Sequence, residues 1–385
     1  MNRFRLQILA FSVLTACSAA TEDKPAGGSE GGEGTAGSDD GGSGGDSGSG
    51  GDSGSGGDSG SGGDSGSGGD PPVDYASSGP SQAGASTFSA SLTSGTTPGL
   101  AWYPTAESTG SVIEYFSGIE GTALEDSAAD CSELRPVVLH SHGNGSANFE
   151  MGWLAEHLAT HGVITVSIDH VGNTYYEQTA DFLRLYEQRP TDIAELYDLL
   201  LSELAAPGGL LEGCVDPDAG YLVSGYSFGG YTAYAVAGAR VNNTVGSPTY
   251  DFGDSRAKGV LSYAPWDGGG ALSEGMAEVS VPAFTVGAAR DATVFQQYNA
   301  LHGALTTSPR VLGEFPDAGH YTFIEWCNIY LFEDGCGAGW VELGAFEQQL
   351  KQSAAAFVGF VEGDSDALDS LESEDGLVTW TVTSD

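Results

Sequence analysis

The chain has 385 residues and a formal net charge of −41 at pH 7, of which an N-terminal Gly-, Ser- and Asp-rich stretch holds only part. Residues 71–361 alone contain 34 acidic and 9 basic side chains, so the part of the chain able to fold is itself acidic. This excess of acidic residues argues against nucleic acid as a partner and against electrostatic binding to anionic lipid.

The N-terminus is typical of an export signal. Arg3 and Arg5 precede the apolar run Leu6–Leu14, which is too short to span a membrane. The stretch Leu-Thr-Ala-Cys that ends at Cys17 resembles a bacterial lipobox. It implies a lipoprotein signal peptide over residues 1–16 and a lipid on Cys17, with an ordinary signal peptide cleaved nearby as the alternative. The protein would then lie in the bacterial cell envelope, at the outer membrane or cell surface, and touch the membrane only through its lipid.

Residues 17–73 are predicted to be a disordered tether. Ala26–Asp70 is mostly Gly, Ser and Asp, and Gly44–Asp70 repeats G-G-D-S-G-S with a period of six. Calcium-binding β-roll repeats are also rich in Gly and Asp, but they need an apolar residue in each turn, and none is present here. Without such residues no core is able to form, so we expect a flexible coil with an r.m.s. reach of roughly 40 Å.

Residues 74–362 are predicted to form one large α/β domain, followed by an acidic tail over residues 363–385. Period-two patterns predict early antiparallel edge strands at Thr87–Thr93 and Gly99–Pro104, and Leu377–Val382 alternates like a further edge strand. Apolar runs predict buried strands at Pro136–His140, Val163–Ile168, Tyr221–Val223, Gly259–Ala264, Val281–Gly287 and Arg310–Phe315. Helices are predicted at Asn148–His161, after a cap at Thr191, at Thr293–Leu305 and at Val341–Val361. The alternation predicts a mostly parallel sheet with helices on both faces, and ligands beyond the carboxyl ends of its strands.

Residues 221–235 have the order strand, Gly-x-Ser-x-Gly, helix, which a nucleophile elbow requires. Gly225 and Gly229 have no Cβ, so strand and helix are able to approach closely around a tight turn. Ser227 would stand at the top of this turn with its hydroxyl exposed. The N–H of Phe228 would lie at the helix N-terminus, where it stabilises a developing oxyanion. A Gly/Ser loop that matches the pattern by chance is the alternative.

A serine nucleophile needs a base and an acid that orients the base. His320 follows the last predicted core strand. A weak alcohol nucleophile needs a base that is neutral near pH 7, and imidazole is the side chain suited to that role. Asp291 comes directly after another strand and gives the chain order Ser, Asp, His. The alternative for Asp291 is a helix N-cap, and Asp267, one strand earlier, is the rival acid.

The loop after the strand Pro136–His140 reads His-Ser-His-Gly-Asn-Gly. Its glycines allow the backbone to turn inward and present the N–H of Asn144 as a second oxyanion donor. His142 in this loop is a candidate metal ligand or second base, and the favoured alternative is a brace that holds the loop through hydrogen bonds. No His, Asp or Glu cluster has convincing metal spacing, so we predict neither a metal nor a cofactor.

The remaining four cysteines are predicted to form two disulfides. Cys131 and Cys214 each precede a buried strand, and these strands are expected to be neighbours, so both sulfurs lie near the same end of the sheet. Cys327 and Cys336 would close a short loop as a second pair in an oxidising compartment. Zinc is the rival interpretation, but the chain has no Cys-x-x-Cys spacing.

Together these segments resemble the α/β-hydrolase superfamily, and within it the bacterial branch related to platelet-activating-factor acetylhydrolases and described as predicted dienelactone hydrolases. The resemblance covers roughly residues 75–362. It implies an α/β-hydrolase fold with Ser227 as nucleophile, His320 as base and the N–H groups of Asn144 and Phe228 as the oxyanion hole. Its motifs are Gly79-Pro80 with Gly84, Trp102-Tyr103-Pro104, Ser141-His-Gly-Asn-Gly145, Asp169-His170, Gly172-Asn-Thr174, Arg189-Pro-x-Asp192, Gly225-Tyr-Ser-Phe-Gly-Gly230, Ala264-Pro-Trp266 and Gly319-His320.

The chain also departs from these families. True dienelactone hydrolases carry a cysteine at the elbow, where this chain has Ser227. Animal platelet-activating-factor acetylhydrolases place their acid one strand earlier, which keeps Asp267 as an alternative to Asp291. The stretch Ala-Pro-Trp-Asp also resembles bacterial cutinases and polyester hydrolases, in which the tryptophan lines the substrate cleft, and Trp266 would occupy that place.

The expected function is an exported, lipid-anchored serine carboxylic-ester hydrolase that works through an acyl-enzyme, as a monomer without a cofactor. Its substrate would be a small ester, a lipid or a polyester, with Tyr226 and Trp266 beside it or, alternatively, in ordinary core packing. A cutinase-like polyester hydrolase or a lipase is the alternative within enzymes. An inactive hydrolase fold that acts as a surface binding module is the alternative of another class.

Overall fold

Within the residues that the structure describes, the strands form one 11-stranded sheet with helices against both faces. The computed structural model describes residues 73–179, 181–242, 250–272, 274–328, 334–371 and 376–384. The predicted signal peptide, the lipidation site Cys17 and the tether up to residue 72 lie outside the described residues. None of the helices within those ranges combines the length and the apolar character that crossing a membrane requires.

The strand order across the sheet is β11-β10-β9-β8-β7-β5-β6-β2-β1-β4-β3. Neighbours from β6 through β5, β7, β8 and β9 to β10 are parallel, whereas β1 and β2 pair antiparallel and β2 joins β6 antiparallel. The sheet is therefore mostly parallel, as the sequence predicts. The strands are β1 Gln82–Leu92, β2 Gly95–Thr105, β3 Val112–Phe116, β4 Ile119–Glu125, β5 Val137–Ser141, β6 Ile164–Ile168, β7 Tyr221–Tyr226, β8 Ala257–Tyr263, β9 Ala283–Ala288, β10 Arg310–Phe315 and β11 Thr379–Thr383.

The helices cover the two faces of this sheet and bury a core on each. Helices α2 and α3 pack together on one face, and α1 and α5 pack together on the other. Along β7 the side chains alternate between the cores, with Leu222 on the α5 side and Val223 on the α3 side. Both cores are apolar, which explains why these strands have continuous hydrophobic runs. The helices are α1 Gly152–Thr160, α2 Leu185–Leu199, α3 Phe228–Val236, α4 Tyr298–Ala304 and α5 Leu343–Val361.

The prediction that β1 and β2 lie at the edge of the sheet is wrong. The hairpin of β3 and β4 extends the sheet beyond β1, and β3 is the last strand on that side. Sequence reasoning missed these two strands because their residues alternate only partly: β3 has exposed positions at Val112 and Glu114 and a register shift between them. A bulged, half-exposed hairpin has no clean period-two pattern.

The helix bounds differ from the predictions for local backbone reasons. Helix α1 begins at Gly152 because Met151 has a positive φ of 59°. Helix α4 begins only at Tyr298 because Phe295 and Gln296 have φ values of 54° and 56°, which no right-handed helix accepts. Helix α5 begins at Leu343, where the Glu342 carboxylate caps the first turn.

The predicted cap at Thr191 is also wrong, because α2 begins six residues earlier and contains Pro190 in its interior. Proline has no N–H to donate to the carbonyl four residues before it, so it usually ends a helix. Here the carbonyl of Tyr186 accepts a hydrogen bond from the hydroxyl of Tyr231 at 3.0 Å instead. A side chain from α3 thereby replaces the missing backbone donor, and the helix continues.

The C-terminal residues join the sheet. Strand β11 pairs antiparallel with β10 over five residues, and the ring of Trp380 fills the space where a side chain on Gly313 would lie. The predicted edge strand at 377–382 is therefore present, shifted to Thr379–Thr383. Residues 363–371 and 376–384 consequently belong to the folded unit as well as to the acidic tail.

Both predicted cysteine pairs are at bonding distance. The Cα atoms of Cys131 and Cys214 are 4.4 Å apart, and those of Cys327 and Cys336 are 5.2 Å apart. The first pair lies before β5 and β7, which are adjacent strands, as the prediction required. Residues 329–333, inside the loop that the second pair closes, are outside the described residues.

We expect non-reducing peptide mapping of protein from an oxidising compartment to recover both linked pairs. The Cys131–Cys214 bond joins residues 83 positions apart, so it constrains the unfolded chain strongly. Replacing both cysteines with serine should lower the free energy of unfolding by about 2–5 kcal/mol in denaturant titrations. Four free thiols in such material, or an unchanged unfolding midpoint in the double variant, would contradict this.

Candidate active site

Ser227 sits on a strained turn between β7 and α3. Its φ of 55° and ψ of −113° lie outside the regions that residues with a side chain normally occupy. Hydrogen bonds from β8 and the following loop hold this conformation: the Ser227 N–H donates to the carbonyl of Tyr263 at 2.9 Å, and the Ser227 carbonyl accepts from the N–H of Trp266 at 3.0 Å. The neighbouring strand therefore stabilises a backbone conformation that the local sequence alone would not maintain.

The glycines around Ser227 allow three backbone segments to meet. A Cβ on Gly225 would lie 2.0 Å from the carbonyl oxygen of Gly229, and a Cβ on Gly229 would lie 1.8 Å from the carbonyl oxygen of Ser141. Neither position has room for a side chain. The end of β7, the start of α3 and the loop after β5 are thus packed backbone against backbone, which brings the two predicted oxyanion segments together.

His320 and Asp291 complete a hydrogen-bonded series with Ser227. The Nε2 atom of His320 is 3.0 Å from the Ser227 hydroxyl oxygen, and its Nδ1 atom is 2.7 Å from a carboxylate oxygen of Asp291. With Nδ1–H donating to the carboxylate, Nε2 is left to accept the serine proton. All three side chains are buried or nearly so, with Ser227 9% exposed. The structure therefore brings the predicted nucleophile, base and acid into contact.

Asp267, the rival acid, is placed differently. Its backbone N–H donates to the side-chain oxygen of Gln297 at 2.9 Å, and one oxygen of its carboxylate is buried without a hydrogen-bond partner among the described residues. The second oxygen of Asp291 accepts from the N–H groups of Thr293 and Val294, both at 2.9 Å. Asp291 is thus a turn cap and the partner of His320 at once, so the two interpretations of this residue are compatible.

Asp334 is a supporting residue that the sequence analysis missed. One of its carboxylate oxygens accepts from the backbone N–H of His320 at 3.0 Å, and the other accepts from the N–H of Ala292 at 3.0 Å. It therefore ties the loop that carries the base to the loop that carries the acid. The only sequence signal is its place two residues before Cys336, where the disulfide to Cys327 anchors the segment.

Both predicted oxyanion donors lie at the positions that the sequence indicates. Phe228 is the first residue of α3, and the first N–H groups of a helix have no acceptor within the helix. Asn144 lies in the turn that Gly143 and Ser146 close, with the Ser146 N–H 3.4 Å from the Gly143 carbonyl oxygen. A backbone N–H in the middle of such a turn also points away from the turn's own acceptor.

His142 braces this loop. Its Nε2 accepts from the backbone N–H of His170 at 3.0 Å, so its Nδ1 carries the proton and donates to the Gly143 carbonyl at 2.7 Å. Burial holds the pKa of His142 well below its usual range, so the ring is neutral. Both ring nitrogens are occupied, as the bracing interpretation requires. Among the described residues, no three His, Cys, Asp or Glu side chains are grouped so that they would hold a metal ion.

The two predicted substrate-facing residues are placed differently from each other. Tyr226 is 3% exposed, and its hydroxyl donates to the backbone carbonyl of His320 at 2.9 Å, so it supports the base from inside and does not line the cleft. It faces the interior because it is the last residue of β7, before the chain turns at Ser227. Trp266 is partly exposed, with its ring centre 5.1 Å from that of Phe228 and 6.2 Å from that of Phe182. Trp266 thus forms part of an aromatic wall beside the nucleophile.

Two buried carboxyl groups lie behind the loop of residues 142–145, which contains Asn144 and is named the oxyanion loop. Glu150 accepts from the N–H of Gly143 at 2.5 Å, and Glu325 accepts from the N–H of Met151 at 2.9 Å. Burial raises the pKa of Glu150 to about 7 and that of Glu325 to about 8, and the charge of Glu150 adds to the second shift. Of these two carboxyl groups, Glu325 has the pKa that lies further above its ordinary value.

This shift predicts that the contribution of Glu325 to the stability of the folded protein is lost as the pH rises. Between the ordinary glutamate pKa of 4.5 and a folded pKa of about 8, the folded state keeps a proton that the unfolded state has released. The resulting stability is fully present below pH 4.5 and is lost as the pH rises through about 8, with each unit of pKa difference worth about 1.4 kcal/mol. In thermal melts from pH 5 to 9, Glu325→Gln should show a smaller fall in Tm than wild type. The exposed Glu203→Gln is the control, and parallel pH profiles for all three proteins would contradict the assignment.

Comparison with known proteins adds no assignment. No protein-family model matches the chain, and no curated protein is significantly similar to it. The function is therefore argued from the arrangement of the residues described above.

Proposed function

We propose that this protein is a serine carboxylic-ester hydrolase with an α/β-hydrolase fold, which works through an acyl-enzyme intermediate. The observation that carries the proposal is the hydrogen-bonded series of Ser227, His320 and Asp291, with donor–acceptor distances of 3.0 and 2.7 Å. These residues follow three parallel strands, β7, β10 and β9, at the carboxyl ends where ligands bind in such sheets.

The geometry supports a two-step reaction. The Ser227 oxygen attacks the ester carbonyl while its proton passes to Nε2 of His320, and the N–H groups of Asn144 and Phe228 stabilise the negative charge that develops on the carbonyl oxygen. The tetrahedral intermediate expels the alcohol, which takes the proton from His320, and leaves the acyl group on Ser227. A water molecule then repeats the attack with His320 as base, and the acid is released.

The strain at Ser227 favours an enzyme over an inactive binding module. A residue with φ of 55° and ψ of −113° costs on the order of 1–3 kcal/mol, and such strain persists where it serves a mechanism. A fold that only bound ligands would gain stability from a relaxed turn at this point. The intact contacts of His320 with both partners point in the same direction.

The aromatic wall favours an ester with an apolar group on its acyl or alcohol side. Trp266, Phe228 and Phe182 lie together beside the nucleophile, and the ring of Phe182 stacks on that of Phe228 with centres 5.3 Å apart. Phe182 is 37% exposed, so the wall continues to the surface. A cutinase-like polyester hydrolase is the second candidate because Trp266 occupies this wall. Export and lipid anchoring through Cys17 remain proposals from the sequence, and a long tether would suit an insoluble substrate.

Purified protein should hydrolyse p-nitrophenyl acetate and should gain one fluorophosphonate adduct, located on Ser227 by peptide mass spectrometry. Comparing acetyl, octanoyl and phospholipid esters with a suspended aliphatic polyester would then assign the substrate class. A protein that reacts with none of these esters and takes up no probe at pH 8 would contradict the proposal.

A further inference from the structure

Arg189 is a fully buried cation that contacts the oxyanion loop from below. It projects from α2, and its guanidinium donates to the backbone carbonyl of His142, to the side-chain carbonyl of Asn173 and, at 3.2 Å, to the hydroxyl of Ser141. The same group lies over the ring of Phe228, with 4.5 Å from its central carbon to the ring centre. One side chain thus touches the segment before the turn that carries the first oxyanion donor, the Asn173 side chain that holds Asn144, and the residue that carries the second donor.

The Asp192 carboxylate balances the charge of Arg189 through two neutral groups, the Ser141 hydroxyl and the His170 ring. The Ser141 hydroxyl is 2.9 Å from Nε2 of His170, and Nδ1 of His170 is 2.9 Å from a carboxylate oxygen of Asp192. Burial holds the pKa of His170 well below its usual range, so the ring is neutral, donates to Asp192 and accepts from Ser141. Burying a cation and its counterion costs several kcal/mol each unless every donor is matched. A network of this cost, placed directly under the oxyanion loop, points to a role beyond stability.

The link to Asn144 runs through Asn173. The Asn173 amide donates to the side-chain oxygen of Asn144 at 2.8 Å, while its own carbonyl accepts from Arg189. The guanidinium is planar with donors in a fixed fork, so holding the His142 carbonyl with one arm and Asn173 with the other fixes the spacing between them. Gly143 lies between the two residues that are held, His142 and Asn144, and Gly145 directly follows Asn144. Without these contacts the two glycines would leave the loop free to take many backbone conformations.

We propose that Arg189 is a positioning residue for the oxyanion hole, acting on Asn144 through the His142 carbonyl and Asn173. The inference rests on the proposed function, because an oxyanion hole has meaning only if Ser227 attacks a carbonyl. Donors that are already aimed at the developing charge need no reorganisation during the reaction. Arg189 therefore contributes to the rate of the chemical step and not to substrate binding in the ground state.

The experiment measures kcat and KM for p-nitrophenyl acetate in three variants. Asn144→Ala keeps the backbone N–H but removes the side chain that Asn173 holds, and Asn144 is exposed, so the fold is not at risk. Arg189→Lys removes the fork but keeps the charge. Arg256→Lys is the matched control, because Arg256 is also hydrogen-bonded to carboxylates and lies 4.9 Å over a tyrosine ring, but at the opposite end of the sheet, before β8.

Loss of one oxyanion donor typically lowers kcat by about 10²–10³-fold, so we expect roughly 10²-fold for Arg189→Lys and about tenfold for Asn144→Ala. In both variants KM should stay within about threefold, and the affinity for butylboronic acid, whose serine adduct is tetrahedral and anionic, should fall by the same factor as kcat. Arg256→Lys should match wild type in all three quantities.

The outcomes separate this inference from the proposed function. An active wild type whose Asn144→Ala variant keeps its kcat and its boronate affinity overturns the inference alone, even where Arg189→Lys fails to fold by circular dichroism. A loss confined to KM overturns it as well. A wild-type protein that hydrolyses no ester and binds no boronate overturns the proposed function and, with it, this inference.

Discussion

Replacing Ser227 with alanine is expected to abolish fluorophosphonate labelling and to lower kcat for p-nitrophenyl acetate by roughly 10⁴–10⁶-fold. The reason is that the Ser227 hydroxyl is the group that His320 contacts, at 3.0 Å, on a turn that opens to the carboxyl end of the sheet. Labelling and hydrolysis should vanish together because both depend on the same oxygen atom. Gel and mass analysis of the probe-treated protein measure labelling, and stopped and continuous ester assays measure hydrolysis.

The chain offers a matched control at Ser224. Its hydroxyl also contacts a histidine, with 3.0 Å to Nδ1 of His140, but it lies in the regular part of β7 and not on the turn. Burial lowers the pKa of His140 to about 3, so that ring stays neutral, and both side chains of this pair are buried within the sheet. Ser224→Ala should therefore keep full labelling. Labelling that survives Ser227→Ala but disappears in Ser224→Ala would show that the nucleophile has been assigned to the wrong pair.

The parts of the site that depend on local backbone chemistry could be predicted from the sequence. Glycine was needed at positions 225 and 229 because a Cβ would meet backbone atoms at 2.0 and 1.8 Å, and a requirement of this kind leaves a visible pattern in the chain. Buried parallel strands likewise produce continuous apolar runs such as residues 137–139. The order of Ser227, Asp291 and His320 along the chain followed from the order of the strands that carry them.

Other parts depend on contacts between residues far apart in the chain, which leave no periodic signal. Asp334 acts on the loop that begins 42 positions earlier, at Ala292, and nothing in its neighbourhood predicts that contact. Pro190 predicts the end of a helix by its own chemistry, and only the Tyr231 hydroxyl, from another helix, allows α2 to continue. Tyr226 shows the same limit, since its position next to Ser227 does not reveal that its ring faces the interior. Local sequence thus predicted which residues are reactive, and tertiary contacts determined which residues support them.

The choice of the acid leads to the second large effect. Asp291→Asn is expected to lower kcat by at least roughly 10²-fold, whereas Asp267→Asn should keep kcat within about tenfold of wild type. Asp291 contacts Nδ1 of His320 at 2.7 Å, while the backbone of Asp267 is bonded to Gln297. An asparagine at position 291 would offer an N–H to Nδ1, so the imidazole would carry its proton on Nε2 and be unable to accept the proton of Ser227.

The loss should appear in kcat with little change in KM, because the wrong tautomer prevents proton transfer and leaves the cleft intact. In a serine protease, the corresponding change lowers turnover about 10⁴-fold, which sets the upper end of the expectation. Circular dichroism must show both variants folded, and Asp291→Asn should still bind butylboronic acid, though more weakly, since Ser227 and the N–H donors are unchanged. The second oxygen of Asp291 accepts from Thr293 and Val294, so a small fall in Tm is expected from this variant even though an amide oxygen is able to keep those bonds. If Asp267→Asn instead loses the activity and Asp291→Asn keeps it, the acid lies one strand earlier, and Asp291 serves only as the cap of its turn.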